Sequence, residues 1–170
     1  MNINYVNLSY NKLGGQIPAY RNLSNLVQLY LHNNKYTGLS EFVNLPNLRY
    51  FYCHNQFTDG APGISGEIPD FSSCPRMYYL IMYNNSFTSY KTGSFESLPR
   101  LKYLDISNNN LSSQALEQII IDLYQNYTDT PRGGVTVNVK NSMISGATLP
   151  EETLELIILL RAKGWTVILQ

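Results

Sequence analysis

The chain has 170 residues, of which 44% are hydrophobic and 14% are charged, and its 12 Lys and Arg residues balance its 12 Asp and Glu residues. This length suits one domain, and the charged fraction is low for a globular protein, where about 25% is usual. No basic run indicates nucleic-acid binding, and the longest apolar run, at residues 156–160, is too short for membrane insertion. Tyrosine is unusually common, with 14 copies.

The N-terminal residues and the two cysteines bear on export and redox chemistry. Residues 1–11 contain neither the charged segment nor the apolar core of a signal peptide, so we expect no leader in this chain. The two cysteines, Cys53 and Cys74, are too few for a disulfide framework. We expect both to be small buried hydrophobic residues.

A pattern of the form L-x-x-L-x-L-x-x-N-x-L begins at residues 3, 26, 48, 77 and 101. Its L-x-L core alternates inward and outward like a short strand, and the Asn can bond free backbone groups where the chain turns. One repeat cannot bury its apolar face alone, so the repeats must stack. The third copy is one residue short before its Asn. The pattern predicts a ladder of asparagines inside the stack at Asn11, Asn34, Asn55, Asn85 and Asn109.

Over residues 3 to about 111 the chain resembles the leucine-rich-repeat family. Two repeats continue as Gly15-Gln16-Ile17-Pro18 and Gly66-Glu67-Ile68-Pro69, which is similar to a variant known from plant receptors and also from bacterial and phage proteins. The resemblance implies an α/β solenoid with a parallel sheet on its concave side and irregular loops opposite. An insertion at residues 59–63 is either a tolerated surface loop or a functional one.

The C-terminal third changes character. Ser112 or Ser113 can cap a helix from residue 114 to about 125, and residues 135–139 alternate as a strand. Residues 148–151 form a capping box that begins a second helix, which runs to Lys163 and stops at Gly164. Residues 165–169 form a last strand, and both strands extend the same sheet. Residues 161–167 resemble C-terminal caps of leucine-rich-repeat proteins from bacteria and their phages.

These elements divide one domain into five repeats at residues 1–111 and a capping segment at residues 112–170. The first repeat begins directly at Ile3, so we expect something to cover its open edge. A missing upstream segment, another subunit or an irregular turn at residues 1–4 would each do so.

Alternation also predicts which side chains point outward from the strands and line the concave side. Seven of the fifteen outward positions are tyrosines, and both histidines lie there as well. Tyrosine offers a large contact area at little entropic cost, although such rings also stabilise a sheet by themselves. The predicted ligand-binding residues are Tyr5, Tyr30, His32, Tyr50, Tyr52, His54, Tyr79, Tyr83, Tyr103 and Asp105.

No catalytic motif accompanies this face: G-x-S-x-G, H-E-x-x-H, C-x-x-C and a phosphate-binding loop are all missing from the sequence. Two histidines make an incomplete zinc site, because zinc takes three or four protein ligands. The sequence therefore favours a non-enzymatic module without metal or cofactor. It would bind or adhere to a protein or a glycan, and not to nucleic acid.

The alternative is a structural subunit of a phage virion or of a surface filament, which packs against other subunits through its open N-terminal edge and low-charge faces. The resemblance and the missing leader favour the virion surface as the location. A bacterial cell-surface or extracellular location is the next alternative, and a plant receptor fragment also remains open.

Overall fold

The structure is a computed structural model that describes residues 2–56, 63–129 and 132–169. The predicted anchor Phe57 and most of the predicted insertion, residues 59–62, lie outside the described residues. Within the described part the strands are β1 (Tyr5–Asn7), β2 (Gly14–Ile17), β3 (Gln28–Tyr30), β4 (Lys35–Leu39), β5 (Tyr50–Tyr52), β6 (Ser65–Ile68), β7 (Tyr79–Ile81), β8 (Ser86–Tyr90), β9 (Tyr103–Asp105), β10 (Thr136–Asn138) and β11 (Thr166–Ile168). The helices are α1 (Ser113–Asp129) and α2 (Glu151–Ala162).

One seven-stranded sheet runs through the molecule in the order β1-β3-β5-β7-β9-β10-β11, and its strands are parallel. The middle residue of each strand pairs with the middle residue of the next, so the L-x-L cores are in register. These residues point into the core and are Val6, Leu29, Phe51, Leu80, Leu104, Val137 and Val167. The register predicted from the repeat is confirmed, and the C-terminal strands extend the same sheet as expected.

The segments that follow the Asn turns are more regular than predicted. Strands β2 and β4 form one two-stranded parallel sheet, and β6 and β8 form another. Each G-x-I-P motif lies at the first of these strands, and its glycine has a positive φ, 76° at Gly15 and 90° at Gly66. The pairing register shifts directly after each glycine. The prediction of irregular loops is wrong here, because the positive φ of the glycine and one extra residue on the partner strand, Thr37 in β4 and Thr88 in β8, let the two segments stay paired through a bulge.

The C-terminal helices begin and end near the predicted residues. The hydroxyl of Ser112 accepts a hydrogen bond from the Ala115 amide at 3.1 Å, which caps α1. Helix α2 stops where Gly164 adopts a positive φ of 84°. Within the described residues, no helix combines the length and the apolar character needed to span a membrane.

The predicted capping box at residues 148–151 is wrong. Pro150 is the N-cap residue of α2, and no side chain caps the helix. The Pro150 carbonyl accepts hydrogen bonds from the amides of Thr153 and Leu154. Pro150 has an extended ψ of 153°, so the helix begins one residue after it, and Glu151 and Glu152 occupy the first turn, where the helix dipole favours acidic side chains.

A buried carboxylate, which the apolar pattern of the helix does not predict, holds α1 against β8. Asp122 is only 3% exposed. It accepts hydrogen bonds from the Tyr90 hydroxyl at 2.6 Å, the Gly93 amide at 2.7 Å and the Gln118 side chain at 2.8 Å. Burial, followed by the bond to Asp122, raises the pKa of Tyr90. These bonds satisfy a charge that would otherwise be costly to bury.

One apolar core extends from Ile17 to Val167 and includes both cysteines. Cys53 and Cys74 are buried and free, as predicted, and burial raises the pKa of both thiols, that of Cys74 to about 12. The first repeat packs less completely, because Leu8 and Leu13 are each 38% exposed. Strand β1 is therefore an edge of the sheet with apolar side chains in contact with solvent.

Candidate functional site

The turns at the ends of the strands are fixed by buried amide side chains. At Asn85 the Nδ2 group donates to the carbonyl oxygens of Met82 and Cys53, both at 3.1 Å, and Oδ1 accepts from the Ile64 amide at 3.0 Å. Met82 belongs to the same repeat, whereas Cys53 belongs to the preceding one. The side chain therefore links adjacent repeats while it satisfies backbone groups that the turn leaves unpaired.

Asn34 and Asn109 make the same set of bonds and are also buried. Asn11, at the edge of the sheet, is exposed and bonds only within its own repeat, to the carbonyl oxygens of Leu8 and Ser9 at 3.0 Å. Four of the five predicted ladder positions thus have the expected backbone bonds, and three of these four are buried.

Asn55 is the exception, and the assignment of this residue to the interior ladder is wrong. The interior position of the third repeat belongs to Gln56, which is buried. Its Nε2 donates to the Leu31 carbonyl at 2.8 Å, and its Oε1 accepts from the Tyr36 amide at 3.1 Å. The third repeat is not one residue short, since it uses Gln where the other repeats use Asn. We call Asn34, Gln56, Asn85 and Asn109 the interior column.

Asn55 belongs instead to a second row of asparagines nearer the surface. All five members have positive φ values between 51° and 56°, a conformation that Asn tolerates better than most residues. Their side chains bond one another from repeat to repeat at 2.7–3.3 Å. This outer row consists of Asn33, Asn55, Asn84, Asn108 and Asn141. The Asn-Asn pairs at 33–34, 84–85 and 108–109 are the sequence signal for both rows.

These turns place three rows of side chains on the outward side of the sheet. The strand pairings align Gln28, Tyr50, Tyr79 and Tyr103 with Tyr5, and Tyr30, Tyr52, Ile81 and Asp105 with Asn7. His32, His54 and Tyr83 follow the carboxyl ends of their strands. We call the ten predicted ligand-binding residues together the tyrosine face: Tyr5, Tyr30, His32, Tyr50, Tyr52, His54, Tyr79, Tyr83, Tyr103 and Asp105.

In the row that contains Tyr30 and Tyr52, and in the row that contains His32, His54 and Tyr83, the rings stack on their neighbours in the next repeat. The ring centroids of Tyr30 and Tyr52 are 4.7 Å apart, those of His32 and His54 are 4.5 Å apart, and those of His54 and Tyr83 are 4.4 Å apart. These distances are close to the roughly 4.8 Å spacing of neighbouring strands. Each repeat therefore holds its ring against the ring of the next, and the side chains are ordered before any ligand arrives.

In the row that contains Tyr5, Tyr50, Tyr79 and Tyr103, the rings lie farther apart. Tyr79 lies 5.7 Å from Tyr50 and 5.8 Å from Tyr103 between ring centroids. At the edge of the sheet, Tyr5 is 50% exposed and meets the Tyr30 ring edge-on at 5.7 Å. Large parts of these rings remain accessible for contact.

Asp105 differs from the rest of the tyrosine face because neighbouring groups already satisfy its carboxylate. The residue is only 6% exposed. Its oxygens accept hydrogen bonds from the Ser107 hydroxyl at 2.6 Å, the Asn138 side chain at 3.1 Å and the Tyr103 hydroxyl at 3.2 Å. The carboxylate joins β9 to β10, and this structural task argues against a direct contact with ligand.

The tyrosine face carries little charge near neutral pH. Burial, with a smaller contribution from neighbouring tyrosines such as Tyr30, raises the pKa of Tyr52 to about 12. Burial, with a smaller contribution from the nearby His32, lowers the pKa of His54 to about 4. The Nδ1 atoms of both histidines are buried without a hydrogen-bond partner among the described residues. The face therefore offers neutral rings and hydroxyl groups.

The two histidines of the tyrosine face do not by themselves form a metal site. Among the residues that the structure describes, no group of three or more His, Cys, Asp or Glu side chains could hold a metal ion. The stacked His32 and His54 remain two ligands at most, fewer than zinc requires.

Comparison with known proteins agrees with the architecture. The family model for the leucine rich repeat matches residues 71–117, which include β7, β8, β9 and the start of α1. No curated protein matches the chain. The matched residues, the seven-stranded parallel sheet and the two C-terminal helices are consistent with an α/β solenoid of the leucine-rich-repeat type. Domains of this kind are generally non-enzymatic and generally bind proteins.

Proposed function

We propose that the protein is a binding module that recognises a protein partner through the tyrosine face. The observation that carries the proposal is the continuous set of stacked, nearly uncharged rings across three neighbouring repeats. Contiguous apolar surface of this kind is characteristic of sites that another molecule covers.

The order of the rings favours tight binding. Most of the tyrosines are half-buried, and their neighbours hold them in place before contact. These tyrosine side chains therefore lose little conformational entropy when a ligand docks on them. Each ring still presents a face or an edge, and each hydroxyl can donate or accept a hydrogen bond. Tyrosine is also one of the residues that most often dominates the energy of an interface.

A protein fits this surface better than a glycan does. The rings of Tyr30 and Tyr52, and those of His32, His54 and Tyr83, stack closely on one another, so they offer mainly edges, whereas a sugar needs a free ring face. Repeat proteins use such extended concave surfaces for large partners. Glycan binding is an outcome that the experiment below can detect.

A second candidate, a structural subunit, draws on different residues. Apolar side chains are exposed at both ends of the solenoid, with Tyr10 77% exposed near β1 and Ile158 62% exposed on α2. End-to-end packing of copies would cover them, as in a virion decoration or a surface filament. A virion or cell-surface location suits this candidate and a binding module that faces outward.

The test is selection of binders from a random-peptide display library on the purified protein. Affinities of the selected peptides are then measured by calorimetry for the wild type and for the double variant Tyr30→Ala/Tyr52→Ala. We expect the variant to bind about 30-fold more weakly, the loss of one interface hot spot of about 2 kcal/mol. Tyr124→Ala/Tyr127→Ala on α1 is the matched control, because these rings are also half-buried and paired, at 6.4 Å.

Equal affinity for the wild type and the tyrosine-face variant would reject the proposal. A glycan array on which sugars bind and peptides do not would reject a protein partner. The second candidate, a structural subunit, is tested by measuring the mass in solution by light scattering. A mass that stays at 19.4 kDa as concentration rises supports the binding module, and a stable oligomer or filament supports the structural subunit.

A further inference from the structure

A cleft beside the amino ends of the strands brings together arginines that are far apart in the sequence. It has a volume of about 510 Å³ and is lined by Arg49, Tyr50, Arg76, Tyr78 and Arg100. All five residues lie at or just before the amino ends of β5, β7 and β9. We call it the arginine cleft.

The stacking of the repeats builds this cleft. Arg76 and Arg100 occupy the same position of successive repeats, directly after a proline and directly before the first anchor. The Tyr78 amide donates a hydrogen bond to the Arg49 carbonyl at 2.8 Å. This bond places Tyr78, in the fourth repeat, beside Arg49, in the third. Neighbouring repeats are spaced by roughly 4.8 Å, so charges one repeat apart in sequence become neighbours in space. This is why no basic run appears in the sequence.

The three guanidinium groups are not neutralised within the described residues. Arg49, Arg76 and Arg100 are exposed, and none of them forms an ion pair with a described carboxylate. The Arg76 side chain donates to the Asn47 side chain at 2.5 Å, which orients it without cancelling its charge. Like charges held together in this way create a local positive potential that an anion relieves. Guanidinium groups also match carboxylates geometrically, through paired hydrogen bonds.

We propose that the arginine cleft binds the carboxylates of an acidic segment in the protein partner. The inference rests on the proposed function, since the same partner would lie on the tyrosine face. The two surfaces are continuous: Tyr50 belongs to both, and its ring lies 6.2 Å from Tyr78 and 5.7 Å from Tyr79. A partner that covers the rings would thus place its next residues over the arginines.

The local character of the charge favours a peptide over other polyanions. Nucleic acids and sulfated polysaccharides carry charge along their whole length, and proteins that bind them present a long basic track. Here the positive charge is confined to three repeats, and the adjoining tyrosine face is nearly neutral. An acidic cluster beside aromatic or apolar residues in a peptide matches that division.

The experiment uses four probes at low ionic strength: an oligoglutamate peptide, an oligoglutamine peptide of the same length, heparin and a single-stranded oligonucleotide. Binding is measured by calorimetry for the wild type and for Arg49→Gln/Arg76→Gln/Arg100→Gln. We expect oligoglutamate to bind the wild type, oligoglutamine not to bind, and the triple variant to lose about tenfold in affinity, as three partly exposed ion pairs would. Added salt should weaken the wild type more than the variant.

The matched control is Lys12→Gln/Arg21→Gln/Lys35→Gln, which removes the same charge from three exposed residues outside the arginine cleft. Equal losses in the two triple variants would reduce the effect to net charge and overturn the inference. Preferred binding of heparin or of the oligonucleotide would also overturn it, as would failure of oligoglutamate to bind the wild type.

The Tyr30→Ala/Tyr52→Ala variant separates this inference from the proposed function. Neither residue lines the arginine cleft, so oligoglutamate should bind this variant like the wild type. If display-selected peptides ignore the tyrosine substitutions while oligoglutamate still depends on the arginines, the proposed function fails and the cleft stands. If selected peptides depend on the tyrosines but oligoglutamate does not depend on the arginines, the cleft fails alone.

Discussion

The interior column and the tyrosine face are built from neighbouring positions of the same repeats. The side chains of the column bond backbone groups of their own repeat and of adjacent ones, as Asn85 does with Met82, Cys53 and Ile64. The rings of the face mostly contact one another. The fold requires a hydrogen-bonding amide at each turn, whereas it requires only a strand-compatible residue on the face. The residues of the face are therefore free to be chosen for a ligand, whereas the residues of the column are fixed by the fold.

Replacing a member of the interior column should have the largest effect on stability. Asn85→Leu removes an acceptor from the Ile64 amide and a donor from two carbonyl oxygens, all buried. Leaving these groups unsatisfied should cost about 3 kcal/mol of unfolding free energy, the upper end for such losses. Urea unfolding followed by circular dichroism measures it. Tyr52→Leu on the tyrosine face should cost about 1 kcal/mol, since one stacked ring is lost.

Asn25→Leu provides the control for this pair, because Asn25 is exposed and bonds only the side chain of Asn2. A loss at Asn85 no greater than the loss at Asn25 would mean that the interior column does not hold the repeats together. The contrast between column and face would then disappear.

The third repeat offers a finer test, because its interior position carries Gln56 in place of Asn. Gln56→Leu should cost about 2 kcal/mol, since it removes bonds to the Leu31 carbonyl and the Tyr36 amide. Asn55→Gly should cost only a fraction of that, because glycine adopts the positive φ of 56° without strain. The same urea titrations measure both. A larger cost at Asn55 than at Gln56 would restore the register in which Asn55 is the interior residue.

Much of the fold could be predicted because the L-x-L cores set a period that repeats five times. The strand register and the outward side of each strand follow from alternation alone, and the strand pairings align the outward strand residues in the rows that alternation predicts. The C-terminal strands were also placed correctly, since an apolar alternating segment after a solenoid has an open sheet edge to join.

Other features escaped prediction for identifiable physical reasons. A template that requires Asn cannot recognise that Gln56 does the same task with a longer side chain. Asp122 lies in an amphipathic helix, where nothing in the sequence distinguishes a buried acid from a solvated one. The arginine cleft joins Arg49, Arg76 and Arg100 from three repeats, and only the stacked structure shows that they share one space.

The smallest expected effect concerns pH, and it separates the titratable face from the column, whose amides do not titrate. Burial, assisted by His32, lowers the pKa of His54 in the folded protein to about 4, against an ordinary value of 6.5. The unfolded chain therefore takes up a proton at a higher pH than the folded chain does. Stability is full above pH 6.5 and falls as the pH drops towards 4. The loss at pH 5 should be about 1 kcal/mol, after allowance for the partial exposure of the ring.

His54→Tyr isolates this contribution, because it keeps a ring that can stack between His32 and Tyr83 but does not titrate in this range. Urea unfolding of both proteins at pH 7 and pH 5 gives the comparison, and carboxylates common to both cancel in the difference. The wild type should lose more stability than the variant between the two pH values. Equal losses would show that the His54 ring reaches solvent freely when protonated. The stacked rings of the tyrosine face would then be more mobile than their centroid distances indicate, in contrast to the hydrogen-bonded side chains of the interior column.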